Sequence, residues 1–210
     1  MHRYPWQIFA FRVLFLLMTF AHAQEPKNGS KVVATANYYP LEVGNEWQYR
    51  VAANDRNSVL VTRISKIEEI GKEKLARLES PVLNMSEHLT QTEKGVFRHR
   101  YNGADVSPPF RLLPYPATVG AKWEGEFTVE KENGARKYFG EIQSEETIDV
   151  PAGKFKAICL LIKLEENGKR IETTYWFAKD VGLVKQSFET AGRSVLMELE
   201  KFERANETKK

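Results

Sequence analysis

One nine-residue phrase occurs twice in the sequence, and this repeat limits the folds that the chain can adopt. The phrase Tyr-Pro-x-x-Val-Gly-x-x-Trp begins at Tyr39 and again at Tyr115, 76 residues later. Its proline fixes one backbone angle, and its glycine permits a turn with a positive φ angle. A tryptophan three residues after the glycine can close the end of a sheet by burying on the order of 200 Å². The phrase therefore predicts two structural corners, built from Pro40, Gly44 and Trp47 and from Pro116, Gly120 and Trp123.

From Tyr38 onward the apolar residues alternate with period two, which indicates strands rather than helices. Asn133-Gly134 and Asn167-Gly168 are strong hairpin signals, because both residue types tolerate positive φ angles. The predicted strands are Glu46–Ala53, Ser58–Ile70, Lys74–Ser80, Val96–Tyr101, Trp123–Glu132, Lys137–Val150, Lys154–Glu166, Arg170–Ala178, Gly182–Glu189 and Ser194–Phe202.

These patterns predict an all-β fold, an antiparallel curved sheet of about ten strands that forms a half-barrel or a barrel-like structure. Strand 154–166 is apolar on both faces, so both faces must be covered. One β domain is expected over 38–204, in two related halves, 38–106 and 112–203. The proline-rich segment 107–116 is expected to stay outside the sheet, where its apolar residues either pack over one end or gate a cavity. Leu83–Thr92 is the one candidate for a short helix.

The first 23 residues have the three parts of a secretory signal. Arg3 and Arg12 precede an apolar run over 13–20, and Ala21-His22-Ala23 is a small-x-small cleavage site. The run is too short for a membrane span, which needs about 20 residues. We expect export to the periplasm or the extracellular space, cleavage after Ala23, a flexible lead-in over 24–37 and a disordered tail over 205–210.

The expected mature chain is nearly neutral, so its composition does not favour binding to nucleic acid. Loss of Arg3 and Arg12 leaves 29 Lys+Arg against 28 Asp+Glu. A balanced charge supplies no overall field for a polyanion or an anionic membrane. No transmembrane span is expected in the mature chain. Cys159 is the one cysteine, which excludes a disulfide within the chain, and its apolar surroundings predict a buried thiol.

The usual signatures of catalysis and of cofactor binding are missing from the sequence. There is no Gly-x-Ser-x-Gly, no phosphate-binding glycine loop and no zinc-type spacing of Cys and His. After signal removal only His88 and His99 remain, and Glu87-His88 is predicted to be a solvated pair. We therefore expect no cofactor, no metal and no enzymatic activity.

One strand alternates basic and aromatic residues and is the candidate binding surface. In this strand Phe97, His99 and Tyr101 are expected on one face, and Arg98 and Arg100 on the other. Charge and stacking would suit an anionic polysaccharide, a lipid headgroup or a nucleic acid. The alternative is an ordinary strand with solvated arginines.

Three stretches resemble a family of exported bacterial proteins of unknown function that have been called TapB-like. They are YYPLEVGNEWQYRV at 38–51, VPAGKFKAICLLIK at 150–163, and TYWFAKDVGLVKQSFE at 174–189. The second holds a turn at Pro151 and Gly153, and the third a turn at Gly182. The resemblance implies a secreted antiparallel β domain, and more loosely a half-barrel like the lipoprotein carriers LolA and LolB. It implies no catalytic residues.

The sequence leaves three functions open. The first is binding of a hydrophobic or amphipathic ligand, such as a lipid, in the concavity of the sheet, or of an envelope protein. The second is a surface-structural or protein-interaction module with a solid core. The third is a hydrolase whose site has no recognisable motif. Fold alone does not separate these functions.

Overall fold

A computed structural model describes residues 37–53, 56–166, 168–190 and 193–205, which fall in one compact unit spanning Ala34–Lys210. The predicted signal segment, nearly all of the lead-in and nearly all of the tail lie outside the described residues. The strands are β1 (Glu46–Ala53), β2 (Arg56–Ile70), β3 (Glu73–Ser80), β4 (Met85–Thr92), β5 (Gly95–Tyr101), β6 (Ala104–Pro114), β7 (Lys122–Val129), β8 (Arg136–Val150), β9 (Gly153–Glu166), β10 (Lys169–Ala178), β11 (Gly182–Thr190) and β12 (Arg193–Glu203).

The twelve strands form a closed barrel in which each strand pairs with its neighbours in the sequence. All pairs are antiparallel, and β1 closes the barrel by pairing with both β2 and β12. The predicted all-β antiparallel fold is confirmed, with twelve strands where the sequence predicts about ten. Successive turns alternate between the two ends of such an up-and-down barrel.

The helix predicted over Leu83–Thr92 is wrong, because this segment contains strand β4. The strand follows a turn in which Asn84 has a φ angle of 48°. The alternation of apolar and polar residues in β4 is hidden in the sequence, because Glu87 shares the inward face with Leu89. Glu87 is charged but nevertheless buried. A charge on the inner face of a strand breaks the period-two signal.

The segment 107–116 is not outside the sheet, since most of it belongs to β6. The pairing of β6 with β5 skips residues 106–109, so Pro108 and Pro109 fall in a gap of that ladder. A proline there costs no ladder hydrogen bond to β5. The apolar residues of this segment are buried in the core, and they are Phe110, Leu112, Leu113 and Tyr115.

The two copies of the repeated phrase have the same backbone geometry. Gly44 and Gly120 have φ angles of 96° and 86°. The Gly44 amide donates to the Ile64 carbonyl at 2.9 Å, and the Gly120 amide donates to the Ile142 carbonyl at 2.8 Å. The isoleucines belong to β2 and β8, the second strand after each corner. Both of these strands have a register irregularity just after the isoleucine. The corners therefore begin two related halves, β1–β6 and β7–β12.

The tryptophans of both corners are buried, as predicted, but their indoles bind different partners. Trp47 is 2% exposed and Trp123 is 8% exposed. Trp47 donates through Nε1 to the Val181 carbonyl at 2.6 Å and stacks on Phe202. Trp123 donates to the Arg111 carbonyl at 3.0 Å. One indole thus binds the turn between β10 and β11, and the other binds β6.

Both corners lie at the same end of the barrel, because β1 and β7 run in the same direction in an antiparallel order. Tyr39 is buried against Trp47 and Phe177, with ring centroids 6.1 and 5.7 Å away. The Tyr38 amide donates to the Tyr115 hydroxyl at 3.2 Å. The aromatic residues that precede the two corners therefore meet over this end.

The turns predicted at Pro151–Gly153 and at Gly182 are present in the structure. Gly153 has a φ angle of 125° and Gly182 one of 99°. The Ala152 amide donates to the Leu199 carbonyl at 2.9 Å, so the turn between β8 and β9 contacts β12. Gly182 lies beside Trp47, since a Cβ atom there would be at an ordinary contact distance of 3.4 Å from the indole nitrogen.

Candidate functional site

The structure divides the predicted binding surface between the inside and the outside of the barrel. Strand β5 carries all five residues, but its pairing with β6 is irregular between Arg98 and Arg100. Arg98 pairs with Leu89 and faces inward, and Tyr101, which pairs with Glu87 at the end of the strand, lies beside Arg98 but is 39% exposed. Phe97, His99 and Arg100 face outward. The prediction of one aromatic face and one basic face is therefore wrong, because a bulge shifts the alternation.

Arg98 forms an ion pair inside the barrel. Its Nε and Nη2 donate to the two carboxylate oxygens of Glu87 at 2.9 and 3.0 Å. The guanidinium carbon lies 5.6 Å from the ring centre of Phe110 and 5.7 Å from that of Tyr101. Burial disfavours the charged form of Arg98, but the Glu87 carboxylate more than offsets this and raises the pKa above its usual range.

The outward residues Phe97 and His99 already have partners within the protein. The Arg111 guanidinium lies over the Phe97 ring at 5.6 Å. His99 Nδ1 lies 2.9 Å from Glu73, and its Nε2 lies 2.9 Å from the Thr90 hydroxyl. Burial lowers the pKa of His99, although Glu73 opposes the shift. Both residues therefore have contacts within the protein.

Arg100 is the one predicted residue that lines an external groove. This open groove of about 600 Å³ runs across the outer face of β2, β3, β4 and β5. Its polar lining includes Arg77, His88 and Arg100, together with Glu68 and Ser86. The backbone N–H of Asn102 donates to the Ser86 carbonyl at 2.7 Å and fixes one end of the groove.

His88 and Glu87 are both buried, so the predicted solvated pair is wrong. The two residues point to opposite faces of β4, Glu87 toward Arg98 and His88 toward the groove. His88 Nε2 lies 2.5 Å from a Glu68 carboxylate oxygen. Its Nδ1 is buried and has no hydrogen-bond partner within the described part of the chain.

The groove residues Arg77 and His88, and Lys66 opposite Arg77, are functional candidates that the sequence does not reveal. They belong to three strands and are far apart in the chain, and only the pairing register brings them into line. No spacing rule within one strand could have found them, because registers are set by turns and bulges.

Cys159 is buried, as predicted. Burial raises the pKa of its thiol to about 11, which leaves little thiolate at neutral pH. Across the residues that the structure describes, no group of three or more His, Cys, Asp or Glu side chains is placed to hold a metal ion. In the same residues, no helix has the length and apolarity needed to cross a bilayer.

No protein-family model matches the chain, and no curated protein matches its sequence. The resemblance to the TapB-like family therefore stays a prediction.

Three solved structures are similar to the chain. One, described as a candidate lipoprotein from Parabacteroides distasonis, has 13% identity and a TM-score of 0.45, with 79% of this chain and 98% of that chain covered. A candidate exported protein with a YmcC-like fold from Bacteroides fragilis has 15% identity and a TM-score of 0.47, with 80% and 100% covered. The hypothetical lipoprotein YmcC from Escherichia coli has 10% identity and a TM-score of 0.40, with 80% and 90% covered.

Proposed function

We propose that this protein is exported and binds its partner on the outer surface of the barrel, without catalysing a reaction. The observation that carries the proposal is that side chains of strands that do not pair with each other contact one another in the interior. The Tyr49 hydroxyl donates to the Leu183 carbonyl at 3.0 Å, which joins β1 to β11 across the face of β12. Phe177 on β10 contacts Tyr39, and Phe110 on β6 contacts Tyr138 on β8 with ring centroids 4.7 Å apart.

The buried residues form one continuous core cluster to which every strand contributes. Arg98 and Glu87 lie within this interior, and Arg98 is close enough to Tyr175 on β10 for each to influence the pKa of the other. An ion pair costs desolvation energy in an apolar interior. A chamber for an acyl chain would therefore have to accommodate two charges, which favours recognition on the outside.

Export is supported by the sequence of residues 1–23, with its charged start, apolar run and Ala-x-Ala site. The proposal of a non-catalytic role follows from the lack of recognisable catalytic motifs. An envelope protein or a polar ligand would then be the partner, and the groove of about 600 Å³ over β2–β5 offers a polar surface for it.

Carriage of a hydrophobic ligand is the second candidate, because the barrel interior is rich in aromatic residues. Trp47, Phe177, Phe110 and Phe127 all belong to the core. Such rings would also line a lipid chamber if the segment that contains Tyr39 moved away.

Native mass spectrometry of the protein purified from its own envelope separates the two candidates. We expect the mass of the polypeptide without a bound lipid. A lipid retained at one molecule per protein, and released only on unfolding, would contradict binding on the outside and support carriage.

A further inference from the structure

Four basic residues stand in one line across the outer face of the barrel. Lys66 on β2 lies directly opposite Arg77 on β3, Arg77 lies opposite His88 on β4, and His88 lies opposite Arg100 on β5. We call these four residues the basic row. Asp105 on β6 ends the row, since it pairs with Arg100.

Folding alone does not favour such a row, because like charges directly opposite each other on neighbouring strands destabilise a sheet. Elsewhere on the barrel, several residues of opposite charge in direct opposition form ion pairs. Arg63 meets Glu79 at 3.1 Å, and Arg50 meets Glu198 at 3.2 Å. Two acids, Glu203 and Glu46, also lie opposite each other, but the next residue in that row is the basic Arg63. The basic row has no acid within its four positions.

The carboxylates that neutralise the basic row lie beside it rather than in it. Glu68 is two residues beyond Lys66 and contacts it at 2.7 Å. The same carboxylate lies 2.5 Å from His88 and 3.9 Å from Arg77. Arg77 Nε lies 3.3 Å from Glu79 but is not aligned for a hydrogen bond, and His88 Nδ1 has no partner among the described residues. Among the described residues, Arg77 Nε is therefore a donor of the row without a hydrogen-bond partner.

The groove is open over three of the four residues of this row. Arg77, His88 and Arg100 line it, and it provides about 600 Å³ of space. Adjacent strands are about 4.8 Å apart, so two strand spacings place the Arg77 and Arg100 positions about 10 Å apart. Guanidinium groups bind phosphate and carboxylate oxygens by charge-assisted hydrogen bonds.

We propose that the basic row binds a ligand that carries two or more phosphate or carboxylate groups in line. Its anionic groups would replace Glu68 and Asp105 as partners of Arg77 and Arg100. This inference rests on the proposed function, because it identifies the chemistry recognised on the outer surface.

Isothermal titration calorimetry with tripolyphosphate, and separately with tricarballylate, tests the proposal at low ionic strength. The test variant is Arg77→Gln/Arg100→Gln, and the matched control is Arg50→Gln, which removes an exposed, ion-paired arginine elsewhere on the barrel. We expect binding to weaken about tenfold or more in the test variant and less than twofold in the control. Glu68→Gln should tighten binding, because it removes the competing carboxylate. Thermal unfolding confirms that each variant is folded.

The two probes distinguish a phosphate source from a carboxylate source, and vesicles of phosphatidylglycerol add a membrane arm. Equal weakening in the test and control variants would mean nonspecific charge attraction and would overturn the proposal. Binding to vesicles but to neither soluble probe would overturn it as well. Failure of this inference leaves the proposed function standing, because that function fails only if native mass spectrometry finds a lipid held inside the barrel.

Discussion

A single glycine determines how the second tryptophan packs. Trp123 pairs with Gly140, and Trp47 pairs with Thr62 at the equivalent position of the first half. A Cβ atom at Gly140 would lie 2.2 Å from the Trp123 ring. The indole of Trp123 therefore lies across the backbone of β8, whereas Trp47 turns toward Gly182. The repeated phrase predicts where both rings are buried but not where they point.

Substitution of Gly140 by Ala should destabilise the protein. The new methyl group would force the Trp123 ring to move within a packed core, and overpacking of this kind costs about 1–3 kcal/mol. Urea unfolding measures the loss. Thr147→Ala, at an exposed position of the same strand, is the control and should change the unfolding free energy by less than about 0.5 kcal/mol. Equal stability of the two variants would contradict the packing described for Trp123.

The interior ion pair predicts an unequal response to single and double substitutions. Arg98→Met leaves the Glu87 carboxylate buried without its partner and should cost about 3 kcal/mol. This cost is at the low end of the range for a buried ion pair, because the Arg98 side chain is 23% exposed. Glu87→Leu combined with Arg98→Met removes both charges and should recover most of the stability in urea unfolding. If Arg98→Met alone were as stable as the unchanged protein, the burial of the Glu87 carboxylate would not require its ion pair with Arg98.

The Glu68 carboxylate should make stability depend on acid pH. The pKa of Glu68 is lowered from 4.5 to about 2. The hydrogen bond from Lys66 contributes most to this shift, and the hydrogen bond with His88 contributes the next largest part. A carboxyl whose pKa falls on folding stabilises the protein above its unfolded pKa, and this contribution is lost as pH falls from about 4.5 to 2. Solvent screening limits it to about 1 kcal/mol.

Between pH 5 and pH 2, the unfolding free energy should therefore fall less in Glu68→Gln than in the unchanged protein. Urea unfolding measures this difference. Glu69→Gln is the control, since Glu69 is well exposed and 3.6 Å from Lys74. An unchanged pH profile in Glu68→Gln would show that its ion pairs do not contribute to stability.

At the scale of strands, the sequence predicts elements with clean alternation and misses those in which charge or proline interrupts it. Strands such as β9 and β10 have strong apolar runs and were predicted within a residue at each end. Strand β4 was missed because Glu87 faces the core, and β6 because Pro108 and Pro109 occupy a gap in its ladder. The faces of β5 were misassigned for a related reason, since bulges depend on the partner strand and leave no local signal.

The first corner depends on Asn45, which the second corner does not have. Its amide donates to the Pro40 carbonyl at 3.1 Å and to Glu42 at 2.9 Å, and its side-chain oxygen accepts from the Ala205 amide at 3.0 Å. The equivalent position in the second corner is Ala121. The backbone of the corner thus accepts alanine, while Asn45 joins the first corner to the chain after β12.

Asn45→Ala should therefore lower stability through lost hydrogen bonds alone, without strain in the corner. Loss of a fully buried amide that leaves its partners unsatisfied costs about 1–3 kcal/mol. Thermal unfolding measures the effect, and Ala121→Ser is the control that changes the same position of the second corner. A change of less than about 0.5 kcal/mol for Asn45→Ala would show that solvent replaces these bonds.

For the whole barrel, the two halves are joined by two unequal seams. Strands β12 and β1 pair through eight residue pairs, whereas β6 and β7 pair through two, Val106 with Val129 and Ser107 with Thr128. Side chains hold the second seam. Trp123 donates to the Arg111 carbonyl, and Phe110 packs on Phe127 with ring centroids 5.3 Å apart. A seam with few backbone bonds should open more readily than the rest of the sheet.

Hydrogen exchange followed by mass spectrometry should therefore find the fastest strand exchange in β6 and β7, and slow exchange in β8 and β9, which share thirteen residue pairs. Trp123→Phe removes the indole hydrogen bond to β6 and should speed exchange in β6 further. Trp47→Phe is a matched control, because it makes the same change at the same corner of the other half, where the indole binds Val181. It should leave β6 unchanged and speed exchange around the turn between β10 and β11. If both variants had the same effect on β6, the seam would be held by backbone pairing rather than by Trp123.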